Sequence, residues 1–474
     1  MASPMKSARL RRIIGAYAVN RLGTWLGIVA MLVAVFDHTH SALAVSAFLL
    51  AGQALPAFVV PAIVARVEAS KRRRELSALY VFEAIVTALL AVLLWHFWLP
   101  GVLLLAALDG TAALTASALL RAEVAKAARD EAEALTAAVP APLGEALTAA
   151  GRDGSKRQSD TRLKETIDEA ERRANAALNV AFSTTFVLGP AVSGAIVASA
   201  GASAALFIDV GSFLICGALL LDLHPHVEEA AGESVAARLR AAWRHINEVP
   251  SLRGLLLLET VALIFFESAG PIEVTYAKAT LHAGDRGLGL LLTVWGAGGV
   301  LGSLVFARMV KRSLGIMLSA GALAIGLAYV GFSAAPSLGL ACGAAFIGGV
   351  GNGLQWPSLI SLVQQLTPPA LLGRLMGAVE SLGALCLAFG LLLGGGLAAL
   401  SSPRIAFLVV GVGAVATTAV FLRLAPSSKA ADANQEQQSQ EERPLELAPN
   451  ALVEAHEPLL HELAQQAPHE PTSI

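Results

Sequence analysis

Arg21, Glu83, Asp109, Asp209, Glu259, Glu267 and Glu380 lie inside long runs of apolar residues. If those runs cross a bilayer, each charge costs at least ~2.5–3.5 kcal/mol on insertion scales, so it faces a cavity or a partner and marks a position of interest. The chemistry open to a desolvated carboxylate is to load and release a proton. Glu267 has the most suggestive surroundings. Ile264, Phe265 and Phe266 precede it and exclude water, while Gly270 and Pro271 follow and loosen the helix just beyond it. At ~1.5 Å per residue it stands about 20 Å from the start of its run at 254, a little past the midplane. Glu259 lies two turns earlier and can share the role. The plain reading of either acid is a protonated, hydrogen-bonded packing group. Neutral polar residues in comparable runs are Asn20, Gln53, Asn352 and Gln355. Trp25 is one turn from Arg21, and Trp356 follows Gln355. An aromatic wall with a few polar groups suits a small amphiphilic ligand, although ordinary packing also accounts for a tryptophan.

Other chemistries find little support. The sequence holds no phosphate-binding Walker loop, no His-Glu-x-x-His pattern and no Gly-x-Ser-x-Gly elbow, so an enzyme is not expected. Cys216, Cys342 and Cys386 all fall within apolar runs and read as packed thiols. His456, His461 and His469 have no standard metal spacing, and neither metal nor cofactor is expected.

The elements that must position these groups are membrane helices. The chain has 474 residues, 55% hydrophobic and only 15% charged, with a mean hydropathy of +0.64. A soluble protein would carry about a quarter charged residues. About 20 residues at ~1.5 Å rise span the ~30 Å hydrocarbon core. Twelve runs meet that length: 13–36, 42–65, 76–94, 101–120, 174–199, 203–223, 254–276, 287–306, 314–335, 338–362, 372–400 and 405–424. The first is too long for a signal-peptide core and is read as a membrane helix. The expected class is an all-α integral membrane fold with twelve transmembrane helices in two six-helix halves.

Charge fixes the orientation. With both termini in the cytoplasm, the outer loops hold Lys278, Arg286 and Arg404 and no other Lys or Arg, and Arg21 lies in the first helix. All remaining Lys and Arg then fall on the inner side, as the positive-inside rule requires. Position 156 is therefore expected inside and position 282 outside. The basic turn Lys71-Arg72-Arg73-Arg74 sets the direction of the second and third helices. Arg308, Lys311 and Arg312 follow the eighth helix as this cluster follows the second. Such a repeat suggests a parallel duplication. The expected divisions are residues 1–223 for the first half, 224–253 for a central cytoplasmic loop, 254–424 for the second half and 425–474 for a disordered cytoplasmic tail.

The first half carries an insert, about 121–173, rich in Ala, Glu, Lys and Arg. It is expected to form a cytoplasmic helical hairpin, with residues 151–159 as the break. Within the central loop, 235–246 has Arg238, Arg240 and Arg244 on an amphipathic pattern suited to an anionic inner leaflet. The tail is acidic and rich in Gln and Pro, hence the expectation of disorder.

Four stretches resemble the major facilitator superfamily, and together with the twelve-helix plan the likeness covers about residues 10–424. The turn containing Glu68, Arg72, Arg73 and Arg74 is similar to that family's loop after the second helix, with Glu68 where the family has Asp and Val64 where it has Gly. Residues Asn20 to Trp25 resemble the first-helix signature of the drug-efflux branch, which includes macrolide and enterobactin-type exporters. Thr24 stands where that branch has Asp. Gly189, Pro190 and Gly194 resemble the Gly-Pro motif of antiporter fifth helices, and Thr367 to Met376 resembles the connection of the tenth and eleventh helices. The resemblance implies that helices one, four, seven and ten line a cavity. It favours Arg21, Asp109, Glu259 and Glu267 for proton coupling. Asn20, Trp25, Gln53, Asn352 and Gln355 are then the substrate-binding candidates. It implies an alternating-access carrier that exports a small molecule in exchange for protons. The chain is expected in the cell membrane, as a monomer with no nucleic-acid partner. The other reading is a non-transporting sensor or assembly partner with a transporter fold. One further pairing is expected from depth alone: Arg21 and Glu83 lie equally far from the inner edge, which permits an ion pair.

Overall fold

The computed structural model describes residues 8–60, 63, 75–137, 152–221, 235–309 and 312–424. Among the described residues there are helices and no strands. The turn carrying Glu68, Arg72, Arg73 and Arg74 lies outside them, as do part of the 224–253 connection and the whole 425–474 tail.

The first half contains α1 (Ala8–Thr39), α2 (Ala42–Leu49), α3 (Glu75–Leu93), α4 (Leu99–Ala137), α5 (Arg152–Ala200) and α6 (Ala202–Leu219). After a short amphipathic helix, α7 (Val235–Glu248), the second half contains α8 (Pro250–Glu267), α9 (Ala269–Thr275) and α10 (Gly284–Arg308). It closes with α11 (Leu314–Ala334), α12 (Leu338–Gln365), α13 (Pro369–Leu400) and α14 (Pro403–Leu424). Helices α8 and α9 form one crossing, divided at Ser268. Starts and stops follow local chemistry. Ser41 caps α2 by accepting from the Ala44 amide at 3.3 Å. Gly201 takes φ 85 between α5 and α6, a conformation glycine adopts without strain. The second crossing is interrupted by a π-turn at Leu50–Ala54 and the seventh by another at Tyr276–Thr280.

Eleven helices are long and apolar enough to cross a membrane among the described residues. The twelfth expected crossing is α12, whose 28 residues also suffice in length. Its glycines, with Asn352 and Gln355, make it the least apolar, and it is wedged between α10 and α11. There Gly302 meets Val350 and Gly353, while Gly351 meets Gly321. Close backbone approach of this kind holds membrane helices together where lipid removes the hydrophobic drive.

The insert departs from expectation in one respect. Helix α4 continues past position 120 to Ala137, and α5 already begins at Arg152, so residues 152–159 are helical rather than a break. Gly154 is followed by Lys156, Arg157 and Gln158, good helix formers that outweigh one glycine. At its root, Arg9 of α1 bridges Glu123 at 3.1 Å and Asp130 at 3.0 Å on α4.

Apolar packing is uneven along the bundle. At the end where α1 finishes, residues of all twelve crossings share one core, from Val35, Val45 and Ala91 through Ile272, Leu288 and Tyr329 to Phe407. At the end where α1 begins, the second core draws only on the first half, through Ile13, Leu76, Leu119, Leu178 and Phe213. The two halves are thus joined at the far end and have no shared core at the near end among the described residues.

Candidate functional site

Where the halves meet at the far end, the contact is made by small residues. A side chain added at Gly194 of α5 would lie 2.9 Å from the Cα of Gly289 on α10, and one at Gly289 would lie 2.7 Å from the Pro190 carbonyl oxygen. A side chain at Gly395 of α13 would overlap Ser46 of α2. A charged clasp adds to this seal. Lys278, only 13% exposed, binds Asp285 of α10 at 2.6 Å and Asp37 of α1 at 2.5 Å, linking the two halves.

Toward the near end the interior holds the polar groups. Gln355 Nε2 on α12 donates to Glu259 Oε1 on α8 at 2.7 Å. This joins the seventh and tenth crossings through a half-buried pair. Asn352 lies one turn before Gln355 and is also half-buried. Glu267, two turns beyond Glu259, is half-buried and has no hydrogen bond or ion pair among the described residues. Its Cβ packs against Gly390 of α13, where any larger residue would collide with it. The arrangement offers one acid held in place by an amide and one acid without a fixed partner. Two cavities of about 400 and 410 Å³ lie elsewhere, beside Asp37 and Asp285 at the far end and between α7, α8 and α13.

Known proteins share this geometry. The Major Facilitator Superfamily model matches residues 255–463. Solved structures agree over most of the chain. The nucleoside transporter NupG superposes with a TM-score of 0.63 at 11% identity, covering 88% of this chain and 99% of that one. A bacterial homologue of the iron transporter ferroportin, in an inward-facing state, gives 0.59 at 16%, covering 88% and 99%. The chain has the major facilitator fold. Sequence relatives include an uncharacterized MFS-type transporter, YfiS of Bacillus subtilis (strain 168). It is 27% identical over 53% of this chain and 63% of its own, so the match spans less than two thirds of that relative. The multidrug efflux pump Tap of Mycobacterium tuberculosis (strain ATCC 25618 / H37Rv) is 27% identical over 62% of this chain and 71% of its own. The motif resemblance to the drug-efflux branch and these relatives therefore agree.

Within this major facilitator frame the sequence candidates separate into groups. Glu259 and Gln355 meet directly. Trp25 packs on Gly189 and, edge to face, on Phe186 at 5.3 Å, so it serves the contact of α1 with α5. Arg21 lies over the Phe182 ring, 5.0 Å from its centroid. It does not pair with Glu83, both of whose carboxylate oxygens lack a hydrogen-bond partner. Equal depth on two helices says nothing about which way each side chain points around its axis, and that is why the expected pair fails. Asn20 is buried, and its Oδ1 has no partner. Asp109 is half-buried and accepts from Thr87 Oγ1 at 3.0 Å. Gln53 sits half-buried in the π-turn of the second crossing. Glu380 is exposed. The sequence reading missed Glu273, one turn beyond Gly270 and close enough to Tyr329 to act on it electrostatically. Its position in an apolar run was the available signal.

Proposed function

We propose that the chain is a secondary active transporter that exports a small amphiphilic compound across the cell membrane in exchange for protons. It works as a monomer by alternating access, with both termini in the cytoplasm and halves at 1–223 and 254–424. The observation that carries this reading is the one-ended seal. The far end is packed shut by Gly194, Gly289 and the Lys278 clasp, while the near end has no core common to the two halves among the described residues. Charge alternation supports a cytoplasmic near end. A substrate would then reach Glu259, Asn352 and Gln355 from inside and leave once the seal opens. Glu267, lacking a fixed partner, is the coupling acid, and Glu259 orients the ligand through its bond to Gln355. The kinship with multidrug efflux pumps favours an amphiphilic cargo.

The test is flux. Everted membrane vesicles containing the chain are energised with an acid interior and offered a panel of lipophilic fluorescent amines. Accumulation that collapses when a protonophore is added supports the reading; accumulation equal to empty vesicles for every compound overturns it. Cysteine labelling from outside intact cells should modify position 282 and spare position 156.

A further inference from the structure

The transport reading leaves a second group of acids in the first half unused. Glu83 of α3 is fully buried, and neither of its oxygens has a hydrogen-bond partner. Asp109 of α4 accepts from Thr87, one turn beyond Glu83 on α3, at 3.0 Å, and Tyr80, one turn before Glu83, stacks on Phe213 of α6, one turn from Asp209; both acids act on Glu83 electrostatically. Asp209 is buried and accepts from Ser212 Oγ at 3.0 Å. From α1, Gly23 and Gly27 make room for its carboxyl. A Cβ at Gly23 would overlap Asp209 Oδ1, and one at Gly27 would stand 2.7 Å from Oδ2. Asn20 lies on that same face of α1, one turn earlier.

Several buried polar atoms around this cluster lack partners. Asn20 Oδ1 accepts from nothing, and the fully buried Tyr80 hydroxyl, one turn before Glu83 and under its electrostatic influence, has no partner either. The remaining titratable neighbour is Cys216 of α6, whose Sγ contacts the Ala16 carbonyl oxygen at 3.3 Å. Between residues 180 and 200, α5 has no ionisable residue, and neither has the second crossing between 42 and 54. Arg21 is the cation nearest along α1, and its guanidinium lies over Phe182. No group of described His, Cys, Asp and Glu side chains is arranged to hold a metal ion.

Three carboxyls so placed cannot all carry charge, because burial and mutual repulsion both oppose ionisation. Thr87 and Ser212 each give one hydrogen bond to Asp109 and Asp209, but neither oxygen of Glu83 has a donor, and a bound proton supplies one. We propose that Glu83, Asp109 and Asp209 form a proton-holding site inside the first half, separate from Glu267, with half-buried Asp109 as its access point. A proton arrives from water at the Asp109 carboxyl, passes to Glu83 or Asp209 as an O–H bond, and returns to water by the same route, with no change in electrons. When it leaves Asp209, a charge develops against Gly23 and Gly27 of α1. Proton occupancy is thereby tied to the packing of α1 on α6.

The test needs no substrate and stands apart from transport. Purified full-length protein in lipid nanodiscs is examined by infrared difference spectroscopy between acidic and alkaline buffers. The carbonyl stretch of protonated buried carboxyls should appear and shift in D2O. Glu83→Gln and Asp209→Asn should each remove part of the band, and the double variant should remove more. Asp109→Asn should slow the appearance of the band after a pH jump. Glu267→Gln should leave the cluster's share intact, so loss of transport coupling and loss of this site are read separately. On the wild-type chain, a hydrophobic carbodiimide, which attacks protonated carboxyls, should label Glu83 in acid and spare it in alkali by mass spectrometry; this holds even if a variant fails to fold. An unchanged band in Glu83→Gln/Asp209→Asn, or wild-type Glu83 unlabelled in acid, overturns the proposal. So does a band that vanishes when sodium replaces choline, which would mark a site for a metal cation.

Discussion

The second half of the bundle sets Glu259, Glu267 and Glu273 along one crossing and treats them singly. Glu259 is held by Gln355 of α12, while Glu267 stands half-buried against Gly390 without a polar partner among the described residues. The first half sets acids on three helices within electrostatic reach of the fully buried Glu83, with Asp209 buried and Asp109 half-buried. The helix plan is repeated between the halves, but the polar groups hung on it are not. Repetition of a packing scheme is inexpensive to keep, because small residues at crossings suffice. A buried charge carries a cost that only a function or a partner offsets. On the proposed function the halves differ in their work: one half-buried acid beside a candidate ligand site in the second, a cluster around a sequestered acid in the first.

The comparison breaks most visibly if the seal between the halves is not what it is taken to be. Gly289→Leu drives a side chain into the Pro190 carbonyl and Gly194. Overpacking costs roughly 1–3 kcal/mol. Transport should fall by an order of magnitude or more at unchanged membrane abundance, and a cysteine at position 282 should become more reactive from outside. A normal flux would show that this contact does not gate the path.

The next effect sharpens the role of Glu259. Gln355→Ala removes its hydrogen bond, and such bonds to charged groups are worth about 1.5–3 kcal/mol. Substrate KM should rise about tenfold while the dependence on the pH gradient persists. Loss of gradient dependence would move coupling from Glu267 to Glu259.

A smaller change is expected at the clasp. Lys278→Ala leaves Asp37 and Asp285 facing each other, yet Asp37 is 47% exposed and water screens it. Pairs of this kind contribute roughly 1 kcal/mol or less. Flux should change a few-fold and Lys278→Arg should restore it; a complete block would make the clasp, not the glycine contact, the main seal.

Much of the fold was legible because hydropathy, helix length and charge alternation each constrain it independently. The tenth crossing was the hardest to see by hydropathy, since the glycines that let α12 slip between α10 and α11 also dilute its apolar character. Periodicity could place Glu259 and Gln355 on lining helices but could not bring them together, because their contact joins positions 96 residues apart. The Arg21–Glu83 expectation failed for the complementary reason: sequence gives depth along a helix and not rotation about it. The start of α5 at Arg152 went unseen because one glycine-containing stretch was weighed above its helix-forming neighbours.

The smallest predicted effect tests that correction. Arg21→Gln gives up, among its contacts, the cation–π contact with Phe182, worth about 0.5–1 kcal/mol at exposed sites. Combined with Glu83→Gln, the losses in thermal stability should add, as they do for residues without a shared contact. Restoration by the double variant would revive the pair.

The account rests most directly on Glu267. Glu267→Gln is assayed in everted vesicles with and without an imposed pH gradient, alongside exchange of labelled for unlabelled substrate at equal pH. Gradient-driven flux should drop to the background of empty vesicles while exchange continues near the wild-type rate. Gradient-driven flux that persists near the wild-type rate would contradict the assignment of coupling to the second half.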